Sequence, residues 1–450
     1  MKLIYDVKDK PSFGKTLVFA LQQLLAILAA TIAVPTIVQN GMSQSAALFG
    51  AGIGTIVYLL FTKFRSPVFL GSSFAFIGSM LAAFAGAASA QAGYVGLIIG
   101  AAFAGLVYVI IAIAVKLVGV GWINKLMPAV VIGPTVSIIG LSLAANAVSD
   151  LTKGKVLNAE GASAANPLIC LVCGIVTLLV VTICSVYGKK MVKLIPFIIG
   201  ILAGYAAAAI FTAIGIATDN AALQIINFEV FSNMSIVAVP DFTFFEAAKG
   251  ISAINGHYIA TVAVAYIPVA FVVFAEHIAD HKNLSSVIEK DLLEDPGLDR
   301  TLLGDGVGSL AGAVFGGCPN TTYGESVGCV AITGNASVVT ILATAILSIV
   351  ISFFGPFVTF LSTIPNCVMG GVCVTLYGFI AVSGLKMIQD VDLNDNKNLF
   401  VVAVILICGI GGLTVSFGKI TITSIACALI LGILVNVILS KKKEESQKAE

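Results

Sequence analysis

The sequence predicts an all-α polytopic membrane protein. Composition is the first observation: 58% of the 450 residues are hydrophobic and 10% are charged, with a mean hydropathy of +1.06, against about 25% charged in soluble domains. No soluble fold of this length hides so much apolar surface. Second, apolar stretches of the length a bilayer-spanning helix needs, roughly 17–25 residues, recur along the whole chain. Third, the 24 Lys and Arg residues gather at alternate ends of those stretches.

Reading the apolar runs against turn residues places fourteen segments, near 14–34, 44–62, 68–84, 93–116, 127–147, 167–185, 193–216, 258–280, 303–317, 322–334, 337–360, 369–386, 398–414 and 419–440. With the N-terminus inside, twenty Lys and Arg fall in inner loops and tails, among them Lys2, Lys125, Lys190, Lys193 and Lys441–Lys443. Only Lys153, Lys155, Lys249 and Lys419 fall outside. This is a positive-inside pattern. It expects both termini in the cytoplasm, and a miscount by one segment would scramble it. The polar Lys2–Lys15 stretch leads straight into a full-length apolar segment, so no cleavable signal peptide is expected.

Segments three and ten differ from the rest. One opens with Gly71-Ser72-Ser73-Phe74-Ala75-Phe76 and the other with Thr321-Thr322-Tyr323-Gly324-Glu325, small and hydroxyl residues that favour extended backbone over helix. Cutting the chain into two halves of seven puts them in matching places, and an odd-numbered repeat has to be inverted relative to its copy. Paired interrupted segments point to a transporter's binding site.

The acids at membrane depth are Glu276, Asp280, Glu325 and, near a segment start, Asp305, with no base beside them. Such residues are functional candidates by default. Glu276 and Asp280, four apart, share one helix face and form a protonatable pair. Gly304-Asp305-Gly306 also reads as a turn or helix cap. His277 points about 100° away from Glu276, which suits packing or an interhelix hydrogen bond. His257 reads as solvated in an outer loop. Two carboxylates, unmade backbone N–H groups and the Phe74 ring suit a small neutral heterocycle carrying N–H and C=O groups.

Other motifs read as structure. The nine cysteines are scattered; Cys170 and Cys173 have metal-like spacing but lack a second pair or a nearby His, so they read as packing thiols and no metal is expected. Gly50-Ala-Gly-Ile-Gly54 reads as close helix packing rather than a nucleotide loop. There is no Walker loop, no Ser-His-Asp set and no metal-ligand cluster in the sequence, so an enzyme is not expected. The net charge of +1 names no partner; membrane lipid is expected and nucleic acid is not.

The runs Leu21-Gln22-Gln23, Gly71–Phe76, Ala275-Glu276-His277, Asp295-Pro-Gly-Leu298, Pro319-Asn-Thr-Thr-Tyr-Gly-Glu325 and Val368-Met-Gly-Gly371 together resemble the nucleobase–ascorbate transporter (nucleobase:cation symporter-2) family, and within it the bacterial uracil permeases. The resemblance covers nearly the whole chain. It implies fourteen segments in two inverted repeats of seven, with short antiparallel strands in segments three and ten. It implies a core domain from residues 1–118 and 251–362, a gate domain from residues 119–250 and 363–440, and a cytoplasmic tail at 441–450.

Carried over by position, Glu276 and Glu325 bind the base, Phe74 packs on its ring, and the backbone around Phe74, Ala75, Tyr323 and Gly324 adds hydrogen bonds. Glu276, Asp280 and Glu325 are the expected proton-coupling groups, with Gln23, His277 and Asp305 as further candidates. No cofactor is implied; the coupling ion is H+, with Na+ as the alternative. The resemblance also implies a homodimer in a bacterial cytoplasmic membrane, moving core against gate in an elevator-like step.

Two departures bear on substrate. Asp280 and Gln23 stand where uracil permeases carry His, and Asp280 matches the xanthine and urate branch. Glu325, however, stands where the purine branch carries Gln. Uracil is therefore the expected substrate, and xanthine or another purine the alternative. An anion transporter of the same seven-plus-seven architecture is a third reading, which requires positive charge or helix N-termini at the site.

Overall fold

A backbone at membrane depth has no water to bond to, so it bonds to itself, and helices dominate this chain. The computed structural model describes residues 3–119, 121–122, 128–158, 161, 163–189, 191–417 and 420–449. Of the charges counted above, Lys2, Lys125, Lys190 and Lys419 lie outside the described residues.

The first half contains α1 (Phe13–Val38), α2 (Gln44–Phe61), β1 (Leu70–Ser72), α3 (Ile77–Ala85), α4 (Ala90–Val118), α5 (Ala129–Ser142), α6 (Ala144–Asp150), α7 (Pro167–Tyr187) and α8 (Pro196–Ala217). The second contains α9 (Gly256–Ile288), α10 (Leu298–Gly316), β2 (Asn320–Thr322), α11 (Gly324–Thr333), α12 (Val338–Ile351), α13 (Gly355–Thr363), α14 (Asn366–Met387), α15 (Asn396–Ile410) and α16 (Ser424–Ala449). Local sequence sets several starts. Ser43, Ser89 and Asn255 cap α2, α4 and α9 by accepting from Ala46, Ala92 and Tyr258 N–H, and Pro opens α7 and α8.

Helical residues overlap the expected ranges, but many of those ranges are not filled by one long helix. Among the described residues, eight helices are long and apolar enough to cross a membrane. Segments three and ten are strand plus short helix, and segment eleven is broken into α12 and α13. The expected start of segment nine at 303 is corrected: α10 begins at Leu298. The glycines around Asp305 are helical positions that allow close packing, not a turn.

The helices pack as two groups. α1–α4 contact α9–α12, while α5, α7 and α8 contact α14–α16. The contacts also exchange between halves: α1 meets α11 and α12, and α9 meets α3 and α4; α2 meets α12, and α10 meets α4. In the other group α7 with α8 matches α15 with α16. The groups touch through α1 on α8 and α14, and through α9 on α5 and α16.

A close seam lies between α2 and α10, which also hold the two strands. A Cβ at Gly50 would sit 2.6 Å from the Gly312 carbonyl, and one at Gly54 would sit 2.7 Å from the Gly308 carbonyl. At Gly50 the neighbours are backbone atoms, so no side chain can yield. At the N-terminus, Ala336 N donates to Tyr5 O at 2.9 Å and Lys290 pairs with Asp6 at 2.6 Å. The Lys290 hydrogen bond holds the Asp6 carboxyl below its ordinary range.

This seam gives a first prediction. Gly50→Leu is expected to lower the thermal midpoint of the detergent-purified protein by several degrees, since overpacking typically costs about 1–3 kcal/mol. Gly14→Leu, at a position with nothing within 4 Å, is expected to leave it unchanged. Equal midpoints for both variants would remove the seam from the account of stability.

Candidate functional site

Extended backbone inside a helical bundle needs partners, and here the two strands supply them to each other. β1 and β2 pair antiparallel, with Leu70 opposite Thr322, Gly71 opposite Thr321 and Ser72 opposite Asn320. Ser73 N donates to Pro319 O at 2.9 Å, and Tyr323 N to Phe69 O at 3.2 Å. Side chains satisfy the flanks: Leu70 N donates to Thr55 Oγ1 at 2.9 Å, Phe69 N to Ser326 Oγ at 3.0 Å, and Asn320 Nδ2 to Gly50 O at 3.0 Å. Gly71 lies under the Tyr323 ring, which a Cβ would overlap, and the Tyr323 hydroxyl donates to Ser72 O at 2.8 Å. The motif residues thus hold the strand pair together before any ligand is considered.

Beyond the strands the chain turns into α3 and α11, and these turns line, together with α9, a cavity of about 450 Å³. One wall is polar, with Glu276 and Asp280 from α9, Thr321 and Thr322 from β2, and Glu325 from the first turn of α11. Phe74 adds its ring, which meets Tyr377 edge-on at 6.1 Å between centroids. The opposite wall is largely apolar: Val136 of α5, Phe197 of α8, and Leu376, Ile380, Ser383 and Met387 along one face of α14. Asp280 accepts from Thr322 Oγ1 at 2.8 Å, which ties α9 to the broken segment.

The expected binding residues Phe74, Glu276, Tyr323, Gly324 and Glu325 come together at this cavity, and so does Asp280. Four of the expected residues are placed elsewhere. Ala75 is buried in the turn before α3, away from the wall. Gln23 is buried on α1 and donates to Ser326 Oγ, beside Glu325 rather than into the cavity. His277 and Asp305 are fully buried and hydrogen-bonded to each other at 2.7 Å, outside the wall. His257 is exposed.

One expectation fails: a base does join the acids. Lys193, counted as an inner-loop charge, lines the same cavity. The α14 face was missed as well. Its residues look like any lipid-facing apolar helix, and only the i, i+4, i+7, i+11 spacing of Leu376, Ile380, Ser383 and Met387 marks a shared face. Cys170 and Cys173 are buried free thiols.

Comparison with known proteins identifies the chain's relatives. The model of a permease family (Xan_ur_permease) matches residues 14–418. The chain is 37% identical over 448 residues to the uracil permease of Bacillus subtilis (strain 168), covering 99% of this chain and 97% of that one. It is 34% identical over 434 residues to the uracil permease of Escherichia coli (strain K12), covering 96% and 93%. The transmembrane domain of the cyanobacterial bicarbonate transporter BicA superposes with a TM-score of 0.63 at 16% identity, covering 94% of this chain and 96% of that one. At that identity the likeness speaks to fold alone. With its family match and near full-length relatives, this chain is a multi-pass membrane permease, not an enzyme, and belongs to the nucleobase–ascorbate transporter family.

Proposed function

We propose that the protein is a proton-coupled uracil symporter of a bacterial cytoplasmic membrane. The observation that carries this reading is the meeting of Glu276, Asp280, Glu325 and the Phe74 ring at one cavity beside the paired strands. The relatives named uracil permeases point to the base. Uracil is flat and uncharged, with ring N–H donors and carbonyl acceptors. Glu276 and Glu325 accept from its N–H groups. Backbone N–H groups at the start of α11 and around Phe74 donate to its carbonyls, and Phe74 packs on the ring. A ligand lacking those groups leaves buried polar atoms unpaired, which is the strongest form of discrimination open to such a site.

The coupling ion in this reading is H+, with Na+ as the alternative, carried on the Glu276, Asp280 and Glu325 cluster from the outside and released to the cytoplasm. Residues 1–118 and 251–362 act as a core and residues 119–250 and 363–440 as a gate, in two inverted repeats of seven segments with both termini in the cytoplasm. The core carries the carboxylates and the gate supplies the apolar wall, a surface past which the core can slide in an elevator-like step. The working unit is a homodimer. Asp280, at the place where uracil permeases resemble one another in carrying His, favours xanthine as the second reading.

Two predictions follow from these roles. Glu276→Gln and Glu325→Gln are each expected to weaken uracil binding by about 10- to 100-fold, the worth of a hydrogen bond to a charged group. Both variants should abolish uptake while keeping the elution profile of the folded protein; full radiolabelled uracil accumulation by both in proteoliposomes removes these residues from the mechanism. Uracil is also expected to raise the thermal midpoint of the purified protein more than xanthine does, because a ligand stabilises only the fold that binds it. The reverse order replaces the pyrimidine with a purine.

A further inference from the structure

The substrate cavity leaves one buried acid unused. Asp305 of α10 and His277 of α9 are both fully buried. His277 Nδ1 lies 2.7 Å from Asp305 Oδ2, and its Nε2 lies 3.0 Å from Thr301 Oγ1. The Thr301 hydroxyl in turn donates to Leu298 O at 3.1 Å. A hydroxyl has one hydrogen. With that hydrogen on Leu298, His277 Nε2 carries a proton and donates to Thr301. A neutral imidazole then has a bare Nδ1, which only accepts, so Asp305 Oδ2 has to bear the proton and donate it. Moving the proton to Nδ1 gives an imidazolium and a carboxylate instead. In both forms the pair holds one proton and carries no net charge.

The remaining arrangement is a carboxylate accepting from Nδ1–H of a neutral His277. It turns the Thr301 hydrogen away from Leu298 and leaves a net charge at zero exposure. Asp305 Oδ1 has no hydrogen-bond partner among the described residues, and a buried charge so poorly paired is strongly disfavoured.

Among the described residues, the surroundings show no compensating charge. His281 stacks on His277 with ring centroids 4.0 Å apart. Its Nδ1–H donates to His277 O at 2.8 Å, and its Nε2 faces the Tyr58 hydroxyl at 2.6 Å, which lies 2.7 Å from Ser66 Oγ. His281 is neutral when the Tyr58 hydroxyl gives its one hydrogen to Nε2 rather than to Ser66. The other titratable groups in electrostatic reach are Tyr58 on α2, Tyr108 on α4, and Glu276 and Asp280 on α9 itself.

We propose that Asp305 and His277 form a second proton-holding site, outside the lining of the substrate cavity and coupled to it by charge through Glu276 and Asp280 on α9. This rests on the proton-coupled reading above. Release sends the proton to Glu276 at the cavity and from there to water. It leaves the Asp305 carboxylate, moves the imidazole proton from Nε2 to Nδ1, and swings the Thr301 hydrogen from Leu298 O to Nε2. Uptake reverses each step. Asp305 and His277 are thus positioning residues that tie the protonation state of the core to how α9 docks on α10.

Asp305→Asn tests this, since an amide donates to Nδ1 as the acid does but exchanges no proton. In proteoliposomes with a one-unit pH gradient, inside alkaline, the unaltered protein is expected to accumulate uracil about tenfold per coupled proton. The variant is expected to bind uracil within about threefold of the unaltered affinity and to retain counterflow, yet accumulate none. Its infrared spectrum should lose one carboxylic-acid carbonyl band, and nitrogen NMR of the unaltered protein should place a proton on His277 Nε2. Accumulation by the variant equal to that of the unaltered protein overturns the proposal, as does neutral His277 protonated only at Nδ1. If the unaltered protein itself fails to accumulate, the proton-coupled reading falls, and the coupling role of the pair with it. Should Asp305→Asn not fold, Thr301→Val serves: it is expected to shift His277 toward the Nδ1–H form and to uncouple in the same way, and an unshifted His277 in it overturns the assignment.

Discussion

The rest of this molecule depends on one constraint, the satisfaction of extended backbone at membrane depth. Segments three and ten are each broken, and neither can stand in a bilayer alone. They are stable because β1 and β2 bond to each other over three residue pairs and because Thr55, Ser326 and Asn320 reach the groups left over. That pairing brings α2 and α10 together until backbone touches backbone, which glycines such as Gly50, Gly54, Gly308 and Gly312 permit. The cavity is a consequence of the same arrangement. Where the strands end, α3 and α11 begin, and their first turns present unmade N–H groups and Glu325 to α9.

The electrostatics follow the same geometry. The ion pairs Arg65–Asp295 and Lys290–Asp6 lie at partly exposed ends of the molecule, where such pairs contribute little to stability. In the cavity, Asp280 is tied instead to the Thr322 hydroxyl, and Lys193 is among the lining residues. Carboxylates arranged this way are poorly suited to an anion and well suited to a neutral donor-rich ring or a proton. The BicA likeness therefore carries the fold across without carrying the chemistry.

Much of this was legible in the sequence, for physical reasons. Acids in apolar stretches are rare because lipid disfavours them, so Glu276, Asp280 and Glu325 could be found without any structure. Gly and hydroxyl residues at the openings of segments three and ten forecast the strand pair. What stayed hidden was whatever looks the same in two environments. Leu376 and Ile380 face a cavity, but nothing in their chemistry separates that from facing lipid. Lys193 read as a loop charge because linear position does not reveal a cavity lining. Gly304-Asp305-Gly306 read as a turn because glycine serves turns and close helix contacts equally; here Gly306 meets Gly105 and Tyr108, and Asp305 is mid-helix. Ala75 shares a motif with Phe74 but points into the core.

The central claim is that the two broken segments and α9 together hold the base. A structure of the protein with uracil bound tests it most directly. The account predicts the ring in the cavity, against Phe74, with its N–H groups within hydrogen-bond distance of Glu276 and Glu325 and its carbonyls toward the backbone at the start of α11. Uracil bound elsewhere, or in this cavity without contact to either glutamate, would contradict it.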